Sequence, residues 1–421
     1  MTTLTNILSP IINYDSKLSE SAKFQLIANI GFFVLAGIYI YFQAQYQVSL
    51  KSLPYDLDGW GHLVEKLVAQ QELGCNISAT SAYSPERGYL LSLLFAGSYC
   101  LMGIPESVQI INALFHLLTC VALILFISKI SRSILLALAV SAVWTIWPAY
   151  SYLYGYYFSE PIGAFLVILL TFLTHKIFTE KETSAKNYVL AIALGILMGV
   201  LINVRPSSLF FIAGLFIFSF FILRHQKRLI AICAAGFLIV YASLPILNYQ
   251  QFNTFIPFTL QGGYALFLGN HIPSQGAPAG NARELAEFRQ IEENAKDLNA
   301  LEKDKYFKQL AIKDAIANPV ESAQLLVRKA FKYWMYIPSD SWKPSNKSLI
   351  IGLPLLILWL VSLFKNRQLI FYIATLAIVS HWAMHTIVHS EYRYAYVTLP
   401  LVLFSVGHML LKFIRDKINE S

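Results

Sequence analysis

The chain has 421 residues, of which 56% are apolar and 13% charged, against roughly 45–50% and about 25% in ordinary soluble domains. A water-soluble fold cannot hide that much apolar surface. The net charge of +8 lies in short clusters between apolar runs, which argues against nucleic acid and makes membrane lipids, through their anionic headgroups, the natural partner of those clusters.

In chain order, apolar runs near 24–44, 106–128, 133–149, 160–177, 187–203, 207–223, 229–247, 348–364, 368–388 and 394–413 predict membrane-spanning helices, most near the ~20 residues that a bilayer needs. The first is too long for a signal-peptide core and lacks a small-x-small cleavage site, so it reads as a retained span. The fold class expected is therefore all-α: a polytopic membrane protein of about ten transmembrane helices, with juxtamembrane helices and a small helical extracytoplasmic segment. Four cysteines, Cys75, Cys100, Cys120 and Cys233, form no C-x-x-C pair. The last three stand in apolar stretches and read as small hydrophobes.

The run 89–103 is short for a span and carries Ser92, Gly97 and Ser98. If it does not cross, the clusters at Lys17 and Lys23, Lys129 and Arg132, Lys176 to Lys186, Arg224 to Arg228, Lys365 and Arg367, and Lys412 to Lys417 all fall on one side. Cytoplasmic loops are enriched in Lys and Arg near span ends, so this run reads as a re-entrant or interfacial helix. Both termini are then cytoplasmic. Three regions follow: an N-terminal transmembrane module, 1–247, containing a first extracytoplasmic loop at 45–88; an extracytoplasmic helical segment, 248–347; and C-terminal transmembrane helices, 348–421.

Within 248–347, a Gly-rich stretch from Gly262 to Gly280 precedes helical patterning from Ala282 through Lys313. Asn318 and Pro319 then supply a cap and a first-turn proline for a helix reaching about Tyr336. Its apolar Leu325, Leu326, Val327, Phe331 and Trp334 alternate with Arg328, Lys329 and Lys332, a pattern that suits the membrane surface.

Four polar groups on the non-cytoplasmic side carry the candidate chemistry. Tyr55-Asp56-Leu57-Asp58-Gly59-Trp60-Gly61-His62 puts two carboxylates, a histidine and ring surfaces beside the bilayer, able to bind a polar group and move a proton. A solvated turn with Asp58 as a helix cap explains the same spacing. The Asp-x-Asp pair suits a divalent cation with a phosphate, but two acids are a weak metal signal. Ser159-Glu160-Pro161 opens a span after a tyrosine-rich turn, where Glu160 favours the helix N-terminus and the rings either belt the interface or stack on a sugar.

Asn203-Val204-Arg205-Pro206 and His389-Ser390-Glu391-Tyr392-Arg393-Tyr394 add positive charge on the translocated side, against the general bias. Arg205 and Arg393 therefore call for an anionic partner: a protein carboxylate such as Glu160 or Glu391, a lipid headgroup, or a substrate phosphate. His62, His271 and His389 lack metal-ligand spacing and read as structural.

Taken in order, these motifs resemble the GT-C membrane glycosyltransferases, specifically the family 39 branch of protein O-mannosyltransferases and the lipid A aminoarabinose transferase. Asp58-x-x-x-His62 is similar to the branch's Asp-x-x-x-Tyr, with His62 in place of the tyrosine. Ser84-Pro85-Glu86-Arg87-Gly88-Tyr89 resembles the entrance to its juxtamembrane helix, although a Pro-Pro pair is missing. Ser159-Glu160-Pro161, Arg205-Pro206 and Glu391-Tyr392-Arg393-Tyr394 resemble its Ser-Glu-Pro, Arg-Pro and Glu-x-Arg-Tyr elements. Gly262-Gly263-Tyr264 through Gly269-Asn270 resembles a Gly-Tyr-Asn-Leu-x-x-Gly-Asn segment, and Glu302 to Trp334 a helical stretch with Asn-Pro and a final Lys-x-x-x-x-Trp.

The resemblance implies a polyprenyl-phosphate sugar donor and a lipid, glycan or protein acceptor. It makes Asp58 the general base of an inverting displacement, with Asp56, His62 and Glu86 among the substrate-binding residues. Arg205 and Arg393 would stabilise the departing phosphate, Glu160 and Glu391 would orient them, and Tyr394, Tyr264, Asn270 and the amides of Gly262, Gly263 and Gly269 would line the site. It implies no certain cofactor and leaves a divalent metal open. A flippase of lipid-linked sugars and a non-catalytic envelope-assembly subunit are the rival readings.

Overall fold

A computed structural model describes residues 31, 84–102, 107–147, 158–180, 184–222, 226–277, 279–335 and 346–420. Among them the fold is helical, with one isolated bridge between Ser84 and Gly88. The helices are α1 (Leu90–Met102), α2 (Ser107–Ser131), α3 (Ile134–Thr145), α4 (Glu160–Thr179), α5 (Ala185–Val204), α6 (Leu209–Ile222), α7 (Lys227–Tyr241) and α8 (Ser243–Phe252). Then come α9 (Gly262–Asn270), α10 (Ala286–Asn294), α11 (Ala300–Ala317), α12 (Pro319–Tyr333), α13 (Asn346–Lys365), α14 (Leu369–Ile387) and α15 (Leu399–Glu420).

Among the described residues, five stretches are long and apolar enough to cross a membrane: α2, α4, α5, the run from α7 through α8, and α14. Every predicted span except 24–44, of which only residue 31 is described, coincides with a helix. The predicted span 133–149 is shorter than expected, because α3 ends at Thr145 ahead of Pro148, whose ring disfavours helical backbone in the residue before it. Exposed leucine, isoleucine and phenylalanine side chains such as Phe221, Ile239 and Phe364 ring the bundle where lipid replaces water as solvent.

Interhelical packing relies on small residues, since lipid tails compete for apolar side chains as well as a neighbouring helix does. A Cβ on Gly195 of α5 would stand 1.9 Å from the Cys233 carbonyl oxygen of α7. Only glycine permits that approach. Cys120 and Cys233 are buried free thiols as expected, whereas Cys100 is disulfide-bonded and not merely a small hydrophobe.

The bundle has two chemically distinct ends. At the lower end, Arg415 near the close of α15 donates to the carbonyls of Ser131 (2.8 Å) and Arg132 (3.0 Å) after α2. At the upper end the starts of α4, α6 and α15 meet the ends of α5 and α14. Helix α1 stays near this upper end at both of its own ends. The turn before it bonds to the α8–α9 connection, with Leu260 N–H donating to the Pro85 carbonyl at 2.7 Å and Arg87 to Gln261 at 2.5 Å. Ser98 near its finish meets Ser107 at the start of α2, 3.3 Å away. Thirteen residues at 1.5 Å each also give only about 20 Å, short of the ~30 Å hydrocarbon layer.

Among the described residues between α8 and α12, helices α9, α10 and α11 pack into a small upper unit around Phe267, Leu268, Phe288, Phe307 and Ala311. The first part of the glycine-rich stretch, Gly262–Asn270, is helical, with Phe267 and Leu268 buried in the core shared with α11. The continuous pattern from Ala282 is broken in two by Asn299, which caps α11 in a reciprocal box with Glu302. Helix α12 opens on Pro319 as predicted and buries Leu325, Lys329 and Tyr333 while Val320, Val327 and Phe331 stay exposed.

Candidate active site

The upper end of the bundle collects charge that the sequence scatters over more than two hundred positions. Helix α4 begins with Glu160 followed by Pro161, so its unpaired first-turn amides and positive dipole end face the carboxylate's side of the molecule. Helix α5 stops at Val204 because Pro206 cannot continue it, and this leaves Arg205 in the helix cap with its side chain turned onto α4. Between α14 and α15 the chain passes through an extended stretch and a short 3₁₀ turn, Tyr392–Val397, which carries Arg393 and Tyr394.

Both arginines address Glu160. Arg205 Nη1 lies 3.4 Å from Glu160 Oε1 and donates to Ser159 Oγ at 2.9 Å. Arg393 Nη1 lies 3.7 Å from the same carboxylate oxygen, and its Nε donates to Glu391 Oε2 at 2.8 Å. Glu160, Arg205 and Arg393 are only 1%, 4% and 5% exposed, so each would carry a large desolvation cost without the others. Aromatic faces complete the enclosure: Arg393 stands 4.2 Å from the Phe158 ring centre and 5.0 Å from that of Tyr394, and Arg205 5.5 Å from Tyr394.

A histidine relay extends the cluster. Arg205 Nη2 donates to His385 Nε2 at 3.4 Å, and since a guanidinium only donates, the His385 proton sits on Nδ1, which donates to the His389 carbonyl at 3.1 Å. The His385 ring stacks on Tyr394 at 4.1 Å. His389 Nε2 in turn meets Glu391 Oε1 at 2.9 Å. Burial by itself would raise the Glu391 carboxyl, but Arg393 and His389 outweigh it and hold it below the ordinary carboxylate range. Burial pushes His389 down, against the pull of Glu391, and pushes Lys332 of α12 down beside the same carboxylate.

Several buried polar atoms at this end have no partner among the described residues, Glu160 Oε2, Arg205 Nε, His389 Nδ1 and Ser390 Oγ among them. Buried polar groups of this kind take up water, an ion or a ligand, or serve in catalysis. One donor and one acceptor on adjacent residues suit a group that both donates and accepts, as a hydroxyl or a hydrated phosphate does.

Of the residues singled out in the sequence, Glu160, Arg205, Glu391, Arg393 and Tyr394 come together here. Gly269 and Asn270 adjoin the cluster through residues 387–389. Gly262, Gly263 and Tyr264 belong instead to the packing of α9 on α11: the Gly263 amide donates to Asp304 Oδ1 at 2.6 Å and Tyr264 to Glu292 Oε1 at 2.8 Å. The Gly263 amide, expected to line the site, already gives its hydrogen to Asp304. Glu86 is exposed on the turn before α1 and makes no ion pair with the cluster. Asp56, Asp58 and His62 lie outside the described residues. Sequence reasoning passed over His385 and discounted His389, although the spacing His381, His385, His389 is the four-residue step of a helix face.

The fold and this end of the bundle define an all-helical, polytopic membrane protein of GT-C architecture. Over 94% of its length the chain is similar to the archaeal oligosaccharyltransferase AglB from Archaeoglobus fulgidus in complex with an inhibitory peptide and a dolichol-phosphate, with a TM-score of 0.53, 13% identity and 51% of that chain covered. The same archaeal enzyme in complex with Zn and sulfate gives a TM-score of 0.53 at 14% identity, over 93% of this chain and 50% of that one. ArnT from Cupriavidus metallidurans bound to undecaprenyl phosphate matches at a TM-score of 0.40 and 13% identity, over 92% of this chain and 76% of that one. The chain thus spans about half the length of the oligosaccharyltransferase, 51% in the first alignment. The sequence matches no family profile and no curated protein.

Proposed function

We propose that the chain is a membrane glycosyltransferase of the family 39 kind, moving a hexosyl or pentosyl group from a polyprenyl-phosphate donor to an acceptor hydroxyl on a lipid, glycan or protein. The observation that carries this reading is the convergence of buried Arg205 and Arg393 on Glu160 at one end of the membrane helices, with Arg205 Nε–H and Glu160 Oε2 left without partners among the described residues. The likeness in fold to an enzyme solved with dolichol-phosphate is consistent with such a donor.

In this mechanism the donor's tail lies in lipid and its phosphate reaches the upper end. The acceptor oxygen attacks the anomeric carbon as the bond from that carbon to the phosphate oxygen breaks, inverting the centre. The phosphate oxygen leaves with the bonding pair, and Arg205 and Arg393 stabilise the charge that grows on it. Asp58 takes the acceptor's proton. Glu160 and Glu391 keep the two guanidiniums aimed, and Ser159 and Tyr394 fix their planes. The clusters at Lys129, Arg132 and Arg415 support a cytoplasmic lower end by the positive-inside bias; on this reading the upper end and the expected loop 45–88 face the extracytoplasmic side of a bacterial plasma membrane.

The test is purified protein offered a polyprenyl-phosphate sugar. Coupled appearance of free polyprenyl phosphate and glycosylated acceptor supports the enzyme, while movement of the intact donor across vesicles without transfer replaces it with a flippase. General-base help is worth about 10²- to 10⁴-fold, so Asp58→Asn is expected to lose most transfer while remaining inserted. Near-normal turnover in that variant removes Asp58 from the mechanism.

A further inference from the structure

Behind the arginine cluster lies a lysine that the reaction scheme does not use. Lys329, in α12, is 2% exposed, and no carboxylate pairs with it among the described residues. Its ammonium nitrogen meets three oxygens: Asn270 Oδ1 at 2.8 Å, the Ile387 carbonyl at 2.9 Å and the Val388 carbonyl at 3.3 Å. The last two are at the finish of α14, where helix carbonyls run out of partners and the dipole is negative. Three acceptors match the three N–H bonds of an ammonium.

Asn270 works on the same two carbonyls. Its amide nitrogen donates to Ile387 at 3.1 Å and Val388 at 3.2 Å, as well as to Leu266 of its own helix at 2.8 Å. The backbone arrives there without an intervening side chain, since a Cβ on Gly269 would stand 1.9 Å from the Val388 oxygen and 2.7 Å from His389 Cα. Trp382 of α14 adds a bond to the Ala330 carbonyl at 2.9 Å. The next residues along the chain are His389, Ser390, Glu391 and Arg393 of the candidate site.

We propose that Lys329, together with Asn270, is a positioning residue that fixes the upper end of α14 and so holds His389, Glu391 and Arg393 in register with Glu160. A buried cation without a counterion is an expensive way to fill space, and a methionine of similar length would be easier to accommodate. The lysine is explained by the carbonyls it gathers. Its link to catalysis rests on the function proposed above, whereas its effect on residues 388–391 does not.

Two measurements on the full-length protein in detergent separate those statements: hydrogen exchange at the amides of residues 389–391, and binding of a polyprenyl phosphate. In Lys329→Met those amides should exchange about tenfold faster and the lipid phosphate bind about tenfold more weakly, with the thermal midpoint unchanged or raised because a buried charge is gone. Lys329→Gln, which keeps two N–H donors, should recover part of both and serves alone if the methionine variant does not fold. Unchanged exchange at 389–391 in both variants overturns the proposal. Altered exchange in a protein whose wild type binds no polyprenyl phosphate leaves the positioning role standing and removes the proposed donor.

Discussion

The upper end of the bundle and the small domain above it are built from the same ionic vocabulary to opposite effect. At the bundle end, Glu160 is shared by two arginines from different parts of the chain, and every charge is buried. In the small upper unit, Arg283 clasps Glu292 nine residues away with its side chain 56% exposed, and Lys296 meets Glu293 one turn back. Water can take over from either partner of the second set. For the first set nothing replaces a missing partner, so the network stands or falls as a unit.

The comparison is tested hardest by removing one buried charge. Arg205→Met leaves Glu160 with Arg393 alone, and breaking a buried pair costs about 3–5 kcal/mol. A large fall in the unfolding midpoint in detergent is expected, and Glu160→Gln in the same chain should restore part of it. Additive losses in the double variant are the outcome that separates the two residues into independent sites.

Acid probes the same network more gently. Glu391 is held below its ordinary value of 4.5 in the folded chain, so the stability it contributes is complete above about pH 4.5. That stability is lost as the pH falls toward the folded value, where the unfolded chain has already taken up the proton. Glu391→Gln should therefore unfold with a shallower pH dependence than the parent below about 4.5, the other titrating groups being common to both. Parallel curves there mean that Arg393 and His389 do not hold the carboxylate.

Much of this arrangement is legible in the sequence, and the limits have physical causes. Span positions follow from hydropathy, and the helix starts at Glu160 and Pro319 follow from proline and cap chemistry. Arg205 and Arg393 stand out because positive charge is unusual on that side, and both find Glu160. The glycine stretch misleads because Gly263 and Gly269 look like a flexible loop, when they are there to admit Asp304 and Val388 backbone against a helix. Lys329 is unreadable from pattern alone: on an amphipathic helix with Arg328 and Lys332 as neighbours it looks like one more surface cation. Its partners are carbonyls about sixty positions away in sequence, which no composition or period announces.

The smallest effect belongs to the exposed pair. Arg283 donates twice to Glu292, through Nε at 2.8 Å and Nη2 at 3.0 Å, and the same carboxylate accepts from Tyr264. Bidentate geometry is the best that a surface pair offers, yet exposed pairs are typically worth about 0.2–1 kcal/mol. Arg283→Ala should therefore lower the unfolding midpoint only slightly, and the difference should shrink in about 1 M salt, where the Debye length is roughly 3 Å. Tyr264 would keep its bond to Glu292 and the Phe267–Phe307 core would be untouched. A loss as large as that from Arg205→Met would mean that the upper domain's surface charge is coupled to the membrane bundle, and that the contrast between the two networks is one of degree and not of kind.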